Sequence, residues 1–486
     1  MPRLPLTRRD SLRTIATAAV FAPAVIGTAA RAGGAPLPRL PNLATNEALL
    51  LRPSDRNYER YLPAFNARTM LRPQLRALCK SPTAVSAMID WCRTNDLPFA
   101  LRSGGHSFEG LSESRGVVID SRLMNRIDID VDAAGGSASV GAGASLGLVY
   151  RAVASRIFAI ATGVCPTTGV AGIALGGGMG YLGRAFGLHC DNLQSVELVG
   201  PQGNIIVADE QQHPDLFWAN RGGGGGSFGA VTRFRFRLQP APKVIVFGFA
   251  WTLPVRRILR LMKAWQAWAP YAPNAVKADF AVTTVGTKMV ATCFGQTIGP
   301  EAELRRQIKP MLDEETPVLG EIKAASFLGA INYHGRQWSY ISTYAKATSD
   351  YVTSPIGDDG LLALVENVVQ SPGMTVVCEP YGGAVGAVAV GDTAFSHRGG
   401  TLYHLHLSSI WETPTETPAR LQRVRELRAL LRPYVSGASY VNYCDLDLPN
   451  FATAYWGPNL ARLSKIKSEF DPENVFRHAQ SVPVGQ

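Results

Sequence analysis

Cysteine is scarce in this chain and is nowhere spaced to hold a metal. The seven cysteines, at 79, 92, 165, 190, 293, 378 and 444, form no CxxC pair, which excludes the common zinc modules. Charge is modest, 18% of residues, and no polybasic run or aromatic-interleaved basic stripe occurs, so nucleic-acid binding is excluded as the main function. No apolar stretch reaches the roughly 20 residues that a membrane-spanning helix requires. There is no internal repeat and no low-complexity tract. What remains is a globular chain of 486 residues, too long for one compact core and divided into at least two domains.

The basic excess is uneven. Five arginines (3, 8, 9, 13 and 31) stand against Asp10 in the first 32 residues, so a formal charge of +10 falls to about +6 for the rest. Thr7-Arg8-Arg9-Asp10-Ser11-Leu12 precedes an alanine-rich apolar stretch from Ile15 to Ala30, interrupted by Pro23. Adjacent arginines ahead of such a stretch read as a twin-arginine export signal over residues 1–32, cleaved after Ala32. The expected location is therefore periplasmic or extracellular. An odd cysteine count in an exported chain leaves at least one cysteine with another task. Cys79 and Cys92 remain an open pairing.

Glycine is abundant, 48 residues, and clustered in 102–112, 163–187 and 221–229. Clustered glycine marks backbone that turns sharply or lies against a ligand. Apolar residues Val85, Met88, Ile89 and Cys92 recur at helical spacing and predict an amphipathic helix between Pro82 and Asn95. Strands are expected at 99–102, 117–120, 127–131, 137–141, 194–200, 204–208 and 230–238, with a helix near 145–154. After Pro240-Ala241-Pro242, strands at 243–250, 278–284 and 289–297 and helices near 255–268 and 301–313 form a second region. Pattern alone reads as α+β in two domains.

Six ordered motifs add a family. Arg102-Ser103-Gly104-Gly105-His106-Ser107-Phe108 resembles the histidyl-flavin motif of the berberine bridge enzyme-like FAD oxidases, of the vanillyl-alcohol oxidase class. Gly163-Val164-Cys165-Pro166-Thr167, 59 residues from the histidine to the cysteine, resembles their cysteinyl-flavin motif. Gly176-Gly177-Gly178-Met179-Gly180, then Leu216–Arg221 with Gly222–Gly226, Tyr440-Val441-Asn442-Tyr443 and Asp471–Phe476 follow collinearly. The resemblance implies a lead-in at 33–70, a PCMH-type FAD-binding domain of two α+β subdomains at 71–242, and a substrate domain with an antiparallel sheet at 243–435. A C-terminal segment at 436–486 returns to the FAD domain. It also implies FAD held covalently by both His106 and Cys165, with a small-molecule substrate and dioxygen as partners and a monomeric protein.

Cofactor contacts are expected at Arg102, Ser103, Gly104, Gly105, Ser107, Gly163, Thr167, Gly169, Gly172, Gly177, Gly178, Val231, Tyr440 and Asn442. Neutral His106 offers a nucleophilic nitrogen; Cys165 needs to be a thiolate to react. The resemblance to carbohydrate-oxidising members puts the catalytic base at Tyr443, with Glu379 to accept or orient its proton. A phenol of ordinary pKa near 10 needs such help. Two departures stand out. Ile173 occupies a position where plant members often carry histidine, and Thr168 lies where oxygen access is gated.

Two decoys need weighing. Gly178-Met179-Gly180-Tyr181-Leu182-Gly183 spells GxGxxG, with Glu197 nineteen residues after Gly178. Its loop-like lead-in lacks the strand that a dinucleotide fingerprint requires, and its glycines are assigned instead to the FAD pyrophosphate or ribityl chain. His404 and His406 alternate in an apolar strand without a third ligand and read as structural, so no metal is expected. The functional expectation is an exported FAD oxidase that converts a sugar or other alcohol to a carbonyl and produces hydrogen peroxide. The alternative is a tailoring oxidoreductase of aromatic or alkaloid-like metabolites. Replacing Arg8 and Arg9 together by Lys is expected to leave the precursor in the cytoplasm, read by immunoblot of cell fractions; undiminished export would refute the twin-arginine reading.

Overall fold

The computed structural model describes residues 37–132, 135–335 and 342–485. The expected export signal lies outside the described residues. The first sheet contains β1 (Ala48–Leu51), β2 (Leu75–Cys79), β3 (Phe99–Arg102) and β4 (Val117–Asp120), in the order β1-β2-β4-β3. β2, β4 and β3 run parallel, and β1 adds an antiparallel edge. Their crossover is the helix Pro82–Thr94. Its N-terminus is capped by Ser81, whose Oγ accepts from the Ala84 amide at 3.1 Å, and Pro sits in the first turn, a common helix start. Val85, Met88, Ile89 and Cys92 are all buried on it, the face that the sequence spacing predicts.

The second sheet is antiparallel. It contains β5 (Ile127–Asp132), β6 (Gly135–Gly141), β7 (Phe158–Ala159), β8 (Leu193–Val199), β9 (Ile205–Asp209) and β10 (Ala230–Pro240). Its order is β5-β6-β10-β8-β9, with β7 pairing to β10. β10 alternates cleanly: Thr232, Phe234, Phe236 and Leu238 are buried, while Arg233 and Arg237 are exposed. This is the period-two pattern of a sheet with one wet face. The helix Leu146–Ala154 packs on the buried side through Leu146, Val149 and Val153.

The third sheet contains β11 (Val244–Thr252), β12 (Val276–Val285), β13 (Lys288–Thr297), β14 (Leu319–Ala325), β15 (Tyr344–Val352), β16 (Met374–Pro380) and β17 (Tyr403–Trp411). It is antiparallel, in the order β14-β11-β13-β12-β16-β17-β15. Phe280, Val282, Val376, Cys378, Leu405 and Leu407 form one face and are buried beneath helices that contribute Ile258, Trp265, Leu364 and Leu427. The alternate residues Asp279, His404 and His406 are buried on the other face, with Glu379 half-buried among them. That second buried face looks toward the glycine-rich loops.

Polar ties close the assembly. Lys346 of β15 is buried, and its Nζ lies 2.5 Å from Glu109 Oε1 and 2.9 Å from Asp447 Oδ2, with Asp445 as its third partner. Asn66 donates to the carbonyls of Phe108 at 2.6 Å and Ala345 at 2.9 Å. Removing one partner of a buried charge set leaves the others uncompensated. Lys346→Met is therefore expected to lower unfolding free energy by about 3–5 kcal/mol in denaturant titrations; a variant as stable as the wild type would contradict this account.

Candidate active site

A cavity of about 350 Å³ opens between the glycine-rich loops and the polar face of the third sheet. Its floor is made by two loops in close contact. The first follows β3 and carries His106; the second carries Cys165 and enters the helix Val170–Leu175. They cross at Gly104 and Gly169, where a Cβ on either glycine would come within 2.2 Å of the other's backbone nitrogen. Only glycine permits that crossing. Further ties hold it in place: Ser103 Oγ donates to the Ala142 carbonyl at 2.6 Å, and the Val170 amide to the Ala144 carbonyl at 2.9 Å. His106 and Cys165 thereby line the same cavity.

The His106 ring stacks on Phe65, centroids 4.9 Å apart, with Nδ1 3.5 Å from Thr168 Oγ1. Burial, reinforced by the Arg102 charge, pushes its pKa down to about 4. The imidazole is therefore neutral at neutral pH, the state in which a ring nitrogen is nucleophilic. Cys165 Sγ lies 3.2 Å from Thr167 Oγ1. None of the seven cysteines forms a disulfide, Cys79 and Cys92 included.

The other expected contacts divide. Ser103, Gly105, Ser107, Gly163, Gly169, Gly172, Val231, Tyr440 and Asn442 line the cavity. Arg102 lines it too, but its guanidinium is committed to Glu113 and to the Pro63 carbonyl at 2.5 Å, beneath the loop. Thr167 is exposed and outside the lining. Gly177 and Gly178 do not line the cavity. Added Cβ atoms there would meet Phe395 at 2.9 Å and His189 at 2.5 Å, so these glycines serve chain packing. The Gly178 amide donates to the Tyr440 hydroxyl at 2.9 Å, which also accepts from Asn442 Nδ2 at 2.8 Å. Asn442 reaches the Ile173 carbonyl at 3.1 Å. These bonds fasten the C-terminal segment to the glycine loop.

Tyr443 stands against the opposite wall. Its ring stacks on His406, centroids 4.0 Å apart, and lies edge-on to Phe108 at 5.8 Å. Burial raises its pKa well above the usual phenol value, and the Glu379 charge adds to that. The oxygen thus rests protonated. Glu379 lines the same cavity. Its Oε2 accepts from His404 Nδ1 at 2.8 Å. Burial alone raises the Glu379 pKa, but the bond from His404 and the Lys277 charge outweigh it and leave the carboxyl below its ordinary range. His404 and His406, read as structural in the sequence, belong to this wall: His406 lines the cavity, and the Nε2 of each is buried without a partner. Polar residues at every second position of an apolar strand (His404, His406 and Ser408) were the available signal.

The sequence reading also left Gly223–Gly226 and His478 out of its site residues, and all line the cavity. His478 Nε2 donates to the Gly225 carbonyl at 3.1 Å. A Cβ on Gly172 would meet nothing within 4 Å, and one on Gly225 nothing nearer than 3.8 Å. These glycines leave a trough that side chains would otherwise fill. A glycine trough with exposed backbone, running to a neutral histidine and a cysteine, fits a long dinucleotide cofactor carrying a flat ring.

The two-lobed fold and this trough define a flavoprotein oxidoreductase with a PCMH-type FAD-binding domain. An FAD binding domain model matches residues 73–209, and a berberine and berberine like model matches residues 439–483. The FAD-linked oxidoreductase YgaK of Bacillus subtilis is 31% identical over 418 residues, covering 85% of this chain and 91% of that one. Monolignol oxidoreductase AtBBE-like 13 of Arabidopsis thaliana is 31% identical over 447 residues, covering 83% and 82%. The structure of Physcomitrella patens BBE-like 1 superposes with a TM-score of 0.84 at 28% identity, over 91% of this chain and 98% of that one. Berberine bridge enzyme from Eschscholzia californica gives 0.83 at 26%, over 90% and 96%. The chain belongs to the berberine bridge enzyme-like family of FAD-linked oxidoreductases.

Proposed function

We propose that this protein is an exported oxidase that converts an alcohol, of the carbohydrate class, to a carbonyl compound. The observation that carries the reading is the convergence of His106 and Cys165 with Tyr443, Glu379 and His406 around one cavity, with the His404 ring beside that of Tyr443. Bound FAD supplies the hydride acceptor and, with dioxygen, the route to hydrogen peroxide. His106 and Cys165 hold it through two covalent bonds, and the low pKa of His106 keeps its ring nitrogen available. The glycines at 104, 169, 172 and 223–226 leave room for it.

Tyr443 accepts the proton of the substrate hydroxyl as hydride leaves the adjacent carbon. Because its phenol rests protonated, it must release its own proton in the same event. Both His404 and His406 present an unpartnered Nε2, with rings 5.4 Å and 4.0 Å from that of Tyr443, and we assign the proton to His404, which Glu379 supports. Glu379 holds His404 in the tautomer with Nδ1 protonated, leaving Nε2 open. A second reading, oxidation of an aromatic metabolite, draws on the Phe108, Tyr440 and Tyr443 rings in contact at the cavity and on the relative named for monolignols.

A panel of sugars and aromatic alcohols coupled to peroxide detection separates the two readings; no peroxide from any alcohol would overturn both. Acid-precipitated protein is expected to stay yellow and to carry the mass of one FAD. His106→Ala and Cys165→Ala should each keep one bond, and only the double variant should release the flavin; free flavin from the wild type would refute double attachment. Tyr443→Phe keeps the ring but removes the oxygen. It is expected to slow flavin reduction by roughly 10²–10⁴-fold with flavin content and reoxidation unchanged, as stopped-flow spectroscopy of each half-reaction would show. Reduction at the wild-type rate would transfer the proton-accepting role to another group.

A further inference from the structure

Two buried charged residues behind Glu379 have no part in the mechanism above. Lys277 and Asp279 are alternate residues of β12, on one face of the strand, and both are almost fully buried. Lys277 Nζ lies 2.9 Å from Asp279 Oδ1 and 3.4 Å from the Pro380 carbonyl. β12 pairs with β16 through Phe280 and Cys378, and the next step of that antiparallel register sets Asp279 opposite Glu379. Glu379 is in turn the cross-strand partner of His404, and His404 of Tyr351. One row across three strands thus runs Asp279, Glu379, His404. Burying an ammonium and two carboxylates is costly, and apolar residues would pack this sheet face without that cost.

We propose that Lys277 and Asp279 are positioning residues for proton transfer: a buried charge pair that sets how readily His404 and Tyr443 gain and lose a proton. This rests on the proposed use of Tyr443 and His404. The groups facing the pair are few. From β16 there is Glu379, with Cys378 beside it and Tyr381 beyond the strand end; from β17, His404 and His406; from β15, Tyr351; from the C-terminal segment, Tyr440 and Tyr443. β13 sets apolar Phe294 opposite Asp279, beside Cys293. Lys277 is joined by the buried Arg184, on the helix Gly183–Phe186 packed against β12, whose guanidinium donates to the Tyr381 carbonyl. Burial raises the Asp279 pKa, Lys277 opposes that, and the Glu379 charge adds to it, whereas Glu379 is lowered by its His404 bond and by Lys277. Glu379 therefore stays an anion against His404, and Asp279 is held by the ammonium of Lys277.

The charges predict opposite signs. Asp279→Asn leaves Lys277 unbalanced and should lower the His404 and Tyr443 pKa values; Lys277→Met removes the cation and should raise them. Shifts on the order of one pH unit are expected for charges at this range. Lys277→Arg should behave as wild type, and the double variant Lys277→Met/Asp279→Asn should return toward it. The measurement is the His404 titration by ¹⁵N NMR on flavin-loaded protein, with eight histidines to assign, alongside the pH profile of kcat. Opposite shifts in both readouts support the proposal. Shifts of the same sign, or none, in folded and flavin-loaded variants overturn it and leave the pair as packing. If Lys277→Met does not fold, the near-isosteric Asp279→Asn decides alone, and an unchanged His404 titration overturns the proposal. A shifted titration without turnover of any alcohol supports the charge pair and counts against the alcohol reading only.

Discussion

The buried ammonium of Lys346 is the constraint on which the site depends. The cavity walls come from three stretches distant in sequence: the loop after β3, the third sheet and the C-terminal segment. Lys346 belongs to β15; its partners Glu109 and Asp445 lie three residues after His106 and two after Tyr443. The residue assigned to flavin attachment and the residue assigned to proton removal are thus each a few bonds from one cation. Arg68 and Arg425 pair with Glu109 and Asp447 from outside, so the added negative charge is also met. Such a cluster adds little net stability over an apolar one of equal volume, because desolvation consumes the attraction. Its effect is geometric: three carboxylates satisfied together admit one relative placement of the three stretches.

What the sequence made legible was local. The helix at 82–94, the alternation of β10 and the loops of His106 and Cys165 each announce themselves within ten residues, because capping, period and glycine content are properties of neighbours in the chain. The GxGxxG decoy was dismissed on the same local ground, and its last glycine opens a helix of only four residues, Gly183–Phe186. What the sequence left illegible was non-local. Clustered glycine at 176–178 correctly marked close approach, but the approach is to Phe395, His189 and Asn442, side chains that no window around residue 177 contains. β15 and β16, which carry Lys346 and Glu379, escaped because the pairing that gives those residues their meaning joins strands across the domain. An isolated HxH on an apolar strand is ambiguous until its face is known.

Burial alone does not decide the chemistry of this site. Desolvation penalises charge on every group here, yet the outcomes diverge. It leaves His106 and His406 neutral, with pKa values pushed down to about 4, and raises Asp279 and Tyr443. Glu379, half-buried, moves the other way because His404 donates to it and Lys277 stands behind it. One specific donor and one nearby cation therefore reverse the sign of the general effect. This gives the cavity two characters: a floor of neutral nucleophile and bare glycine backbone, suited to a flat cofactor, and a wall where one carboxylate stays ionised and fixes an imidazole. In the proposed mechanism a proton leaving a substrate between them meets the protonated phenol of Tyr443 first. Its onward direction in that mechanism follows cross-strand register, since β16 and β17 set Glu379 directly opposite His404 and bond it there.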